Sequence, residues 1–190
     1  MSYCNAMYKW LVRITWTTAG LFAAVLILVV GNGRAHPETH VGRASAIFAA
    51  TSPQTLFEVL ADHEGVAERR KDVDRVERLD DRDGHPVFRE TSAYGDEIEF
   101  VILEEVPNTR MVVEIGNADA LGFGGTWTWE LAPDGQGSRV VVTEEGQIPG
   151  LIMRGVYWMF ASPTGTIEAE LTLLGRHLQD PPVVTIMSAQ

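Results

Sequence analysis

The sequence predicts an α+β domain, a curved antiparallel sheet of seven strands wrapped on a long C-terminal helix and preceded by one N-terminal hydrophobic helix. Three observations carry that expectation. Apolar residues recur at Ile152, Val156, Phe160, Ile167, Leu171, Leu174 and Leu178, steps of three, four and seven that draw one stripe along a helix between Gly150 and Gln179. The middle of the chain is a run of short segments in which apolar and polar residues alternate between turn residues, the pattern of a sheet with one wet side. From Ile14 to Val30 the chain carries no charge, and Leu21 to Val30 is its densest apolar run.

Residues 1–35 therefore read as a membrane anchor or a signal peptide. Seventeen uncharged residues at ~1.5 Å each give about 25 Å, just short of a ~30 Å hydrocarbon core, and Trp10 and Leu11 extend it. Lys9 and Arg13 precede the apolar run, which puts that end in the cytoplasm and everything after it outside. A single N-terminal pass through residues 14–30 is one outcome. Cleavage near Ala35, after the small residues of Gly33-Arg34-Ala35, is the other, leaving a secreted or periplasmic domain. Residues 36–40 form a polar linker, 41–180 the folded domain and 181–190 a tail.

Within the domain, Val41 to Ala50 alternates as a first strand, with Ala44, Ala46 and Phe48 on one face. Ser52 is suited to cap a helix, and Pro53 to open it at the position where its missing N–H costs nothing. A second short helix follows from His63 to about Glu68. Strands are then expected over 73–79, 86–93, 97–106, 111–115, 126–131 and 139–147, punctuated by Asp83-Gly84, Gly95-Asp96, Pro107-Asn108 and Asp134-Gly135. In the 97–106 strand, Ile98, Phe100 and Ile102 share a face. Pro163 falls on the C-terminal apolar stripe, so a kink in one long helix is expected near Ala161 to Pro163. Asp180-Pro181-Pro182 stops that helix.

Composition excludes several classes of function. The chain has 190 residues, 45% of them hydrophobic, enough for one domain with a real core. Its net charge is −11, and every acidic residue lies after position 35. A surface so acidic repels phosphate backbones, so no nucleic-acid partner is expected. The sole cysteine, Cys4, precedes the apolar run, which leaves the domain without thiol chemistry. No metal-binding His pair, phosphate loop, dinucleotide glycine pattern or serine elbow is present, so neither a cofactor nor a metal is expected. His36 and His40 lie in the linker, where Pro37 argues against a chelating turn.

The order strand, two short helices, six strands and long helix resembles the START/birch-allergen-like (SRPBCC, polyketide cyclase/dehydrase-like) superfamily. Thr51-Ser52-Pro53 with Leu56 to Asp62, Arg75 to Leu79, Phe123 to Leu131 and Ser138 to Gly146 carry the resemblance, the last two being similar to the final hairpin of a membrane-associated bacterial branch. It departs at Glu68-Arg69-Arg70, where the family often has a Trp. The resemblance implies a helix-grip fold with an apolar cavity between sheet and helix, and partners that are hydrophobic small molecules or lipids.

Candidate lining residues follow from that expectation. Phe100, Phe123, Trp127, Trp129, Val156 and Phe160 read either as an aromatic and apolar wall or as ordinary core packing under the helix, and the glycine-rich loop around Phe123 reads either as a gate or as a plain turn. His63, Arg89 and Tyr94 are candidates for the polar contacts that orient a headgroup. The favoured reading of His63 by itself is a helix-end histidine in solvent. Of the strand carboxylates Glu90, Glu99, Glu114 and Glu130, alternation sets Glu99 and Glu114 opposite their apolar neighbours. No catalytic residue is assigned. The leading expectation is a membrane-tethered or exported domain that binds a hydrophobic molecule without chemistry. A cyclase or dehydratase using His63, Arg89, Tyr94 or Glu90 is one alternative, and an interaction domain with a filled core is another. Oligomeric state is left open.

Overall fold

The computed structural model describes residues 2–187, with side chains from residue 16 onward; the side chains of Cys4, Lys9 and Arg13 lie outside the described set. A long helix α1 (Ser2–Ala35) is followed by β1 (Thr39–Phe48), α2 (Pro53–Ala61), α3 (Val66–Arg69), β2 (Val73–Arg82) and β3 (His85–Ser92). Next come β4 (Glu97–Val106), β5 (Arg110–Ile115), α4 (Ala118–Leu121), β6 (Gly124–Asp134) and β7 (Gly137–Gln147). The chain ends in α5 (Leu151–Phe160), α6 (Gly165–Leu178) and β8 (Val183–Ile186). Two compact units result: one holds the segment up to Pro37 with Gly150–Phe160, the other Glu38–Pro149 with the chain from Ala161 on.

The larger unit is a single eight-stranded antiparallel sheet in the order β2-β3-β4-β5-β6-β7-β1-β8. Seven of these strands are the expected ones. The eighth comes from the segment expected to be a tail: Val183 to Ile186 pairs with Ala44 to Ile47, so β1 is not an edge. The linker is shorter than expected, because β1 begins at Thr39 and His40 already pairs with Gly146. Its imidazole reaches Glu144 at 3.3 Å and is nearly covered, not solvated.

Register defines an inner face. Ala44 pairs with Val142, Val142 with Trp129, Trp129 with Met111, and Val113 with both Trp127 and Ile102, so all project to one side. Leu56, Phe57 and Leu60 of α2 and Ile167, Leu171 and Leu174 of α6 complete the core on that side. Eight residues of this core, Ala44, Ala46, Phe48, Leu56, Val140, Val142, Ile167 and Leu171, have no exposed surface at all. The α2 entry forms as the sequence reads: Ser52 Oγ accepts from Thr55 N at 3.2 Å, with Pro53 in the first turn.

The single kinked C-terminal helix is corrected by the structure. Residues 161–164 are not helical, and α5 and α6 belong to different units. Pro163 cannot continue the hydrogen-bond ladder and pushes Ser162 out of the helical region. Ser162 then closes a new turn, its Oγ and its carbonyl each accepting from Gly165 N at 3.0 Å. The stripe was read across that break. Ile167, Leu171 and Leu174 cover the sheet, whereas Ile152, Val156 and Phe160 are exposed on α5.

In the smaller unit α5 packs on α1. Trp16–Ala35 is long and apolar enough to cross a membrane. Trp16, Leu21, Phe22, Ile27 and Leu28 are largely exposed.

Candidate functional site

Away from the packed core the inner face continues over β4, β3 and β2. Phe100 pairs with Phe88 and Ile98 with Glu90, while Phe88 and Glu90 pair with Arg78 and Val76. Phe88, Ile98, Phe100 and Trp127 are all half-buried, in contrast to the sealed residues of β1 and β7. His63, in the loop between α2 and α3, lies on Phe88 with ring centroids 4.7 Å apart. Arg78 stands over the same ring, its guanidinium carbon 5.2 Å from the centroid.

A buried polar group adjoins this aromatic surface. Arg70, just past α3, donates to Glu90 Oε2 at 3.1 Å and to Asp72 Oδ2 at 2.7 Å. Burial raises the Glu90 carboxyl above the ordinary value; Arg70 opposes the shift and the charge of Glu170 adds to it. Burial raises Glu170 likewise, opposed by Arg70 and Arg69. Burial pushes His63 down to about 4, helped by Arg69 and opposed by Asp62. His63 is thus neutral at physiological pH, and its buried Nε2 has no hydrogen-bond partner within the protein. A helix-end histidine in solvent is not what the chain builds. Four kinds of group converge here: a neutral imidazole with a free nitrogen, two carboxyls that hold their protons more tightly than usual, two guanidiniums and aromatic rings.

The sequence-derived residues divide sharply. Phe100, Trp127, Trp129 and His63 lie on the inner face or pack on it, Trp129 within the sealed core. Phe123 is half-buried immediately before β6, after a left-handed Gly122 that ends α4. Arg89 takes the opposite face, donating to Glu99 Oε1 at 2.8 Å, because strand alternation places it one residue from both Phe88 and Glu90. Tyr94 is 92% exposed at the tip of the β3–β4 turn. Val156 and Phe160 sit on α5 in the smaller unit, where both are exposed.

A volume of about 200 Å³ opens on the outer face, lined by Arg82, Asp83, His85, Val101, Glu114 and Gly116 among others. Among the described residues no group of His, Cys, Asp and Glu is disposed to hold a metal ion.

A family profile described as polyketide cyclase / dehydrase and lipid transport matches residues 40–177. The chain belongs to this family. No curated protein matches it. Among solved structures, the di-domain ARO/CYC BexL from the BE-7585A biosynthetic pathway superposes with a TM-score of 0.58 at 16% identity, over 91% of this chain and 60% of BexL. This chain thus spans about 60% of that protein's length. Norcoclaurine synthase from Thalictrum flavum, in complex with dopamine and hydroxybenzaldehyde, gives 0.57 at 16% identity, over 78% of this chain and 90% of the synthase. A START superfamily protein from Mycobacterium smegmatis gives 0.54 at 12% identity, over 75% and 98%. At such identities the likeness is one of fold.

Within this family member, two members of the polar group come from places that sequence reading passed over. Glu170 lies three residues after Ile167 and four before Leu174, on the apolar side of α6, and a carboxylate at that spacing is the signal that marks it. Arg70 lies in the Glu68-Arg69-Arg70 departure from the family pattern, and that departure supplies the cation that holds Glu90.

Proposed function

We propose that this domain binds a small apolar molecule carrying a neutral polar head, on the inner face of the sheet beside α6, while α1 tethers it to a membrane. The observation that carries the reading is the join between half-buried aromatics (Phe88, Phe100, Trp127) and the group His63, Arg70, Glu90 and Glu170. Apolar surface supplies the affinity and the polar group fixes orientation. The head is neutral because the group's own charges largely offset one another: Arg70 is engaged by Asp72 and Glu90, and both raised carboxyls lie within reach of Arg69 and Arg70. Hydroxyl or carbonyl groups suit it, meeting His63 Nε2 and the carboxyls of Glu90 and Glu170, which burial makes firmer proton holders.

Solvent extraction and mass spectrometry of the detergent-purified full chain should recover a stoichiometric apolar compound, and Phe88→Ala should lose it. A compound-free protein that also leaves an uncharged environment-sensitive dye dark would end this reading. A second reading, proton-transfer chemistry of the cyclase or dehydratase kind, is favoured by the two carboxyls of raised proton affinity, which suit a general acid. It requires that the recovered compound be converted on incubation, and that Glu90→Gln or Glu170→Gln stop conversion while still retaining the compound.

A further inference from the structure

The smaller unit holds a feature that tethering by one span does not require. Five side chains of α5, Ile152, Met153, Val156, Met159 and Phe160, are exposed, Phe160 by 81%. The helix nevertheless packs closely on the end of α1. A Cβ on Gly155 would lie 2.0 Å from the Val29 carbonyl oxygen, and one on Gly33 would lie 2.1 Å from that of Leu151, so only glycine permits the approach. Asn32 Nδ2 donates to Gly155 O at 2.8 Å, and Arg154 Nε donates to Gly33 O at 2.7 Å, buried. His36 stacks on Trp158 at 4.7 Å. Gly33 meets Leu151 and Gly155, and Gly155 meets Val29 and Asn32, so the two helices cross at close range over the last turns of α1.

We infer that α5 is embedded in the bilayer beside α1, in the leaflet at the C-terminal end of the span, so that the anchor is a pair of helices. The bilayer is the occupant of its exposed face for two reasons. That face adjoins the end of a helix long and apolar enough to cross a membrane. Asn32 and Arg154 turn inward onto backbone carbonyls, so the exposed side chains of α5 are all apolar, and the charge of Arg34 lies one residue from the end of α1, where a headgroup can meet it. The inference rests on α1 being a retained span, and Gly33 packed on α5 favours retention, since cleavage after Ala35 would strip α5 of its only helix partner in this unit.

Spin labels on single cysteines in the full chain carrying Cys4→Ser, reconstituted in phosphatidylcholine vesicles, test it. The ratio of collisions with oxygen to collisions with a water-soluble nickel chelate should be several-fold higher for Val156→Cys than for Thr172→Cys, and close to that of Leu26→Cys. Phe160→Cys should fall between them. A Val156→Cys ratio equal to that of Thr172→Cys, with Leu26→Cys still reading lipid, overturns the inference and leaves the span intact. A water-like Leu26→Cys, or a purified chain whose mass lacks residues 1–35, overturns both. Label–label broadening at Val156→Cys without oxygen preference assigns the face to a second copy and also overturns it.

Discussion

Glu170 is the residue whose position is hardest to explain by stability alone. It stands on the apolar side of α6, and burial raises its proton affinity. A folded-state pKa above the unfolded one means the fold favours the protonated form, so its contribution is fully present below the unfolded value of about 4.3 and is lost as pH rises through the folded value. Glu170→Gln should therefore raise the melting temperature at pH 7, with the gain vanishing near pH 4. Equal melting at all pH values would contradict the assignment. His63 works in the other direction. Its pKa is pushed down to about 4 by burial, so its contribution is present above about 6.5 and drains away as pH falls toward 4. His63→Phe, which keeps the stacking on Phe88, should flatten the loss of thermal stability between pH 6.5 and pH 4.5. These residues were unevenly legible. His63 was singled out by its place at the start of the second short helix expected in the domain, and Glu90 by lying in a strand. Arg89 was misassigned because a one-residue step along a strand reverses its face, and the imperfect alternation of Val87 and Phe88 hid which residue pointed inward.

At the scale of elements, the strands were legible because each carries a period-two pattern between strong turn residues. The helices α5 and α6 were not, because a helical stripe reads the same whether it meets one surface or two. What separates them, Pro163 with Ser162 bonded to Gly165 N, was visible only as a kink. The end of α6 has its own fastening. Asp180 Oδ2 accepts from Ala50 N, Thr51 N and Thr51 Oγ1 at 2.9, 2.9 and 2.8 Å, joining the helix exit to the end of β1. Burial acts to raise that carboxyl, but the hydrogen bonds from Ala50 and Thr51 outweigh it and hold it below its ordinary value. Asp180→Ala should cost about 1–2 kcal/mol at neutral pH, an effect lost in strong acid, as measured by urea unfolding of the two proteins. Leu171 has no exposed surface, and Leu171→Ala should cost about 2–5 kcal/mol by leaving a void between α6 and the sheet.

For the whole molecule, charge and hydrophobicity divide along the chain. The acidic residues all follow position 35, so electrostatic adsorption to an anionic membrane is opposed, and the proposed tether would hold by apolar burial alone. Membrane fractions should therefore keep the protein through a wash in concentrated salt and release it only to detergent; release by salt would point to a peripheral mode. That division was plain in the sequence, as was the antiparallel sheet. The eighth strand was not, since Val183 to Ile186 follows two prolines and is too short for alternation to register, and it forms only because β1 offers a free edge.

The partners in the smaller unit are far apart along the chain, Gly33 near its start and Gly155 near its end. A ribosome adding roughly 5–20 residues per second needs about 6–24 s to travel from one to the other. Through that interval the notch at Gly33 is bare. On the proposed tether, whatever escorts the newborn chain must shield that notch until the late helix arrives, so a translational pause before Gly150 would be felt first by the insertion machinery.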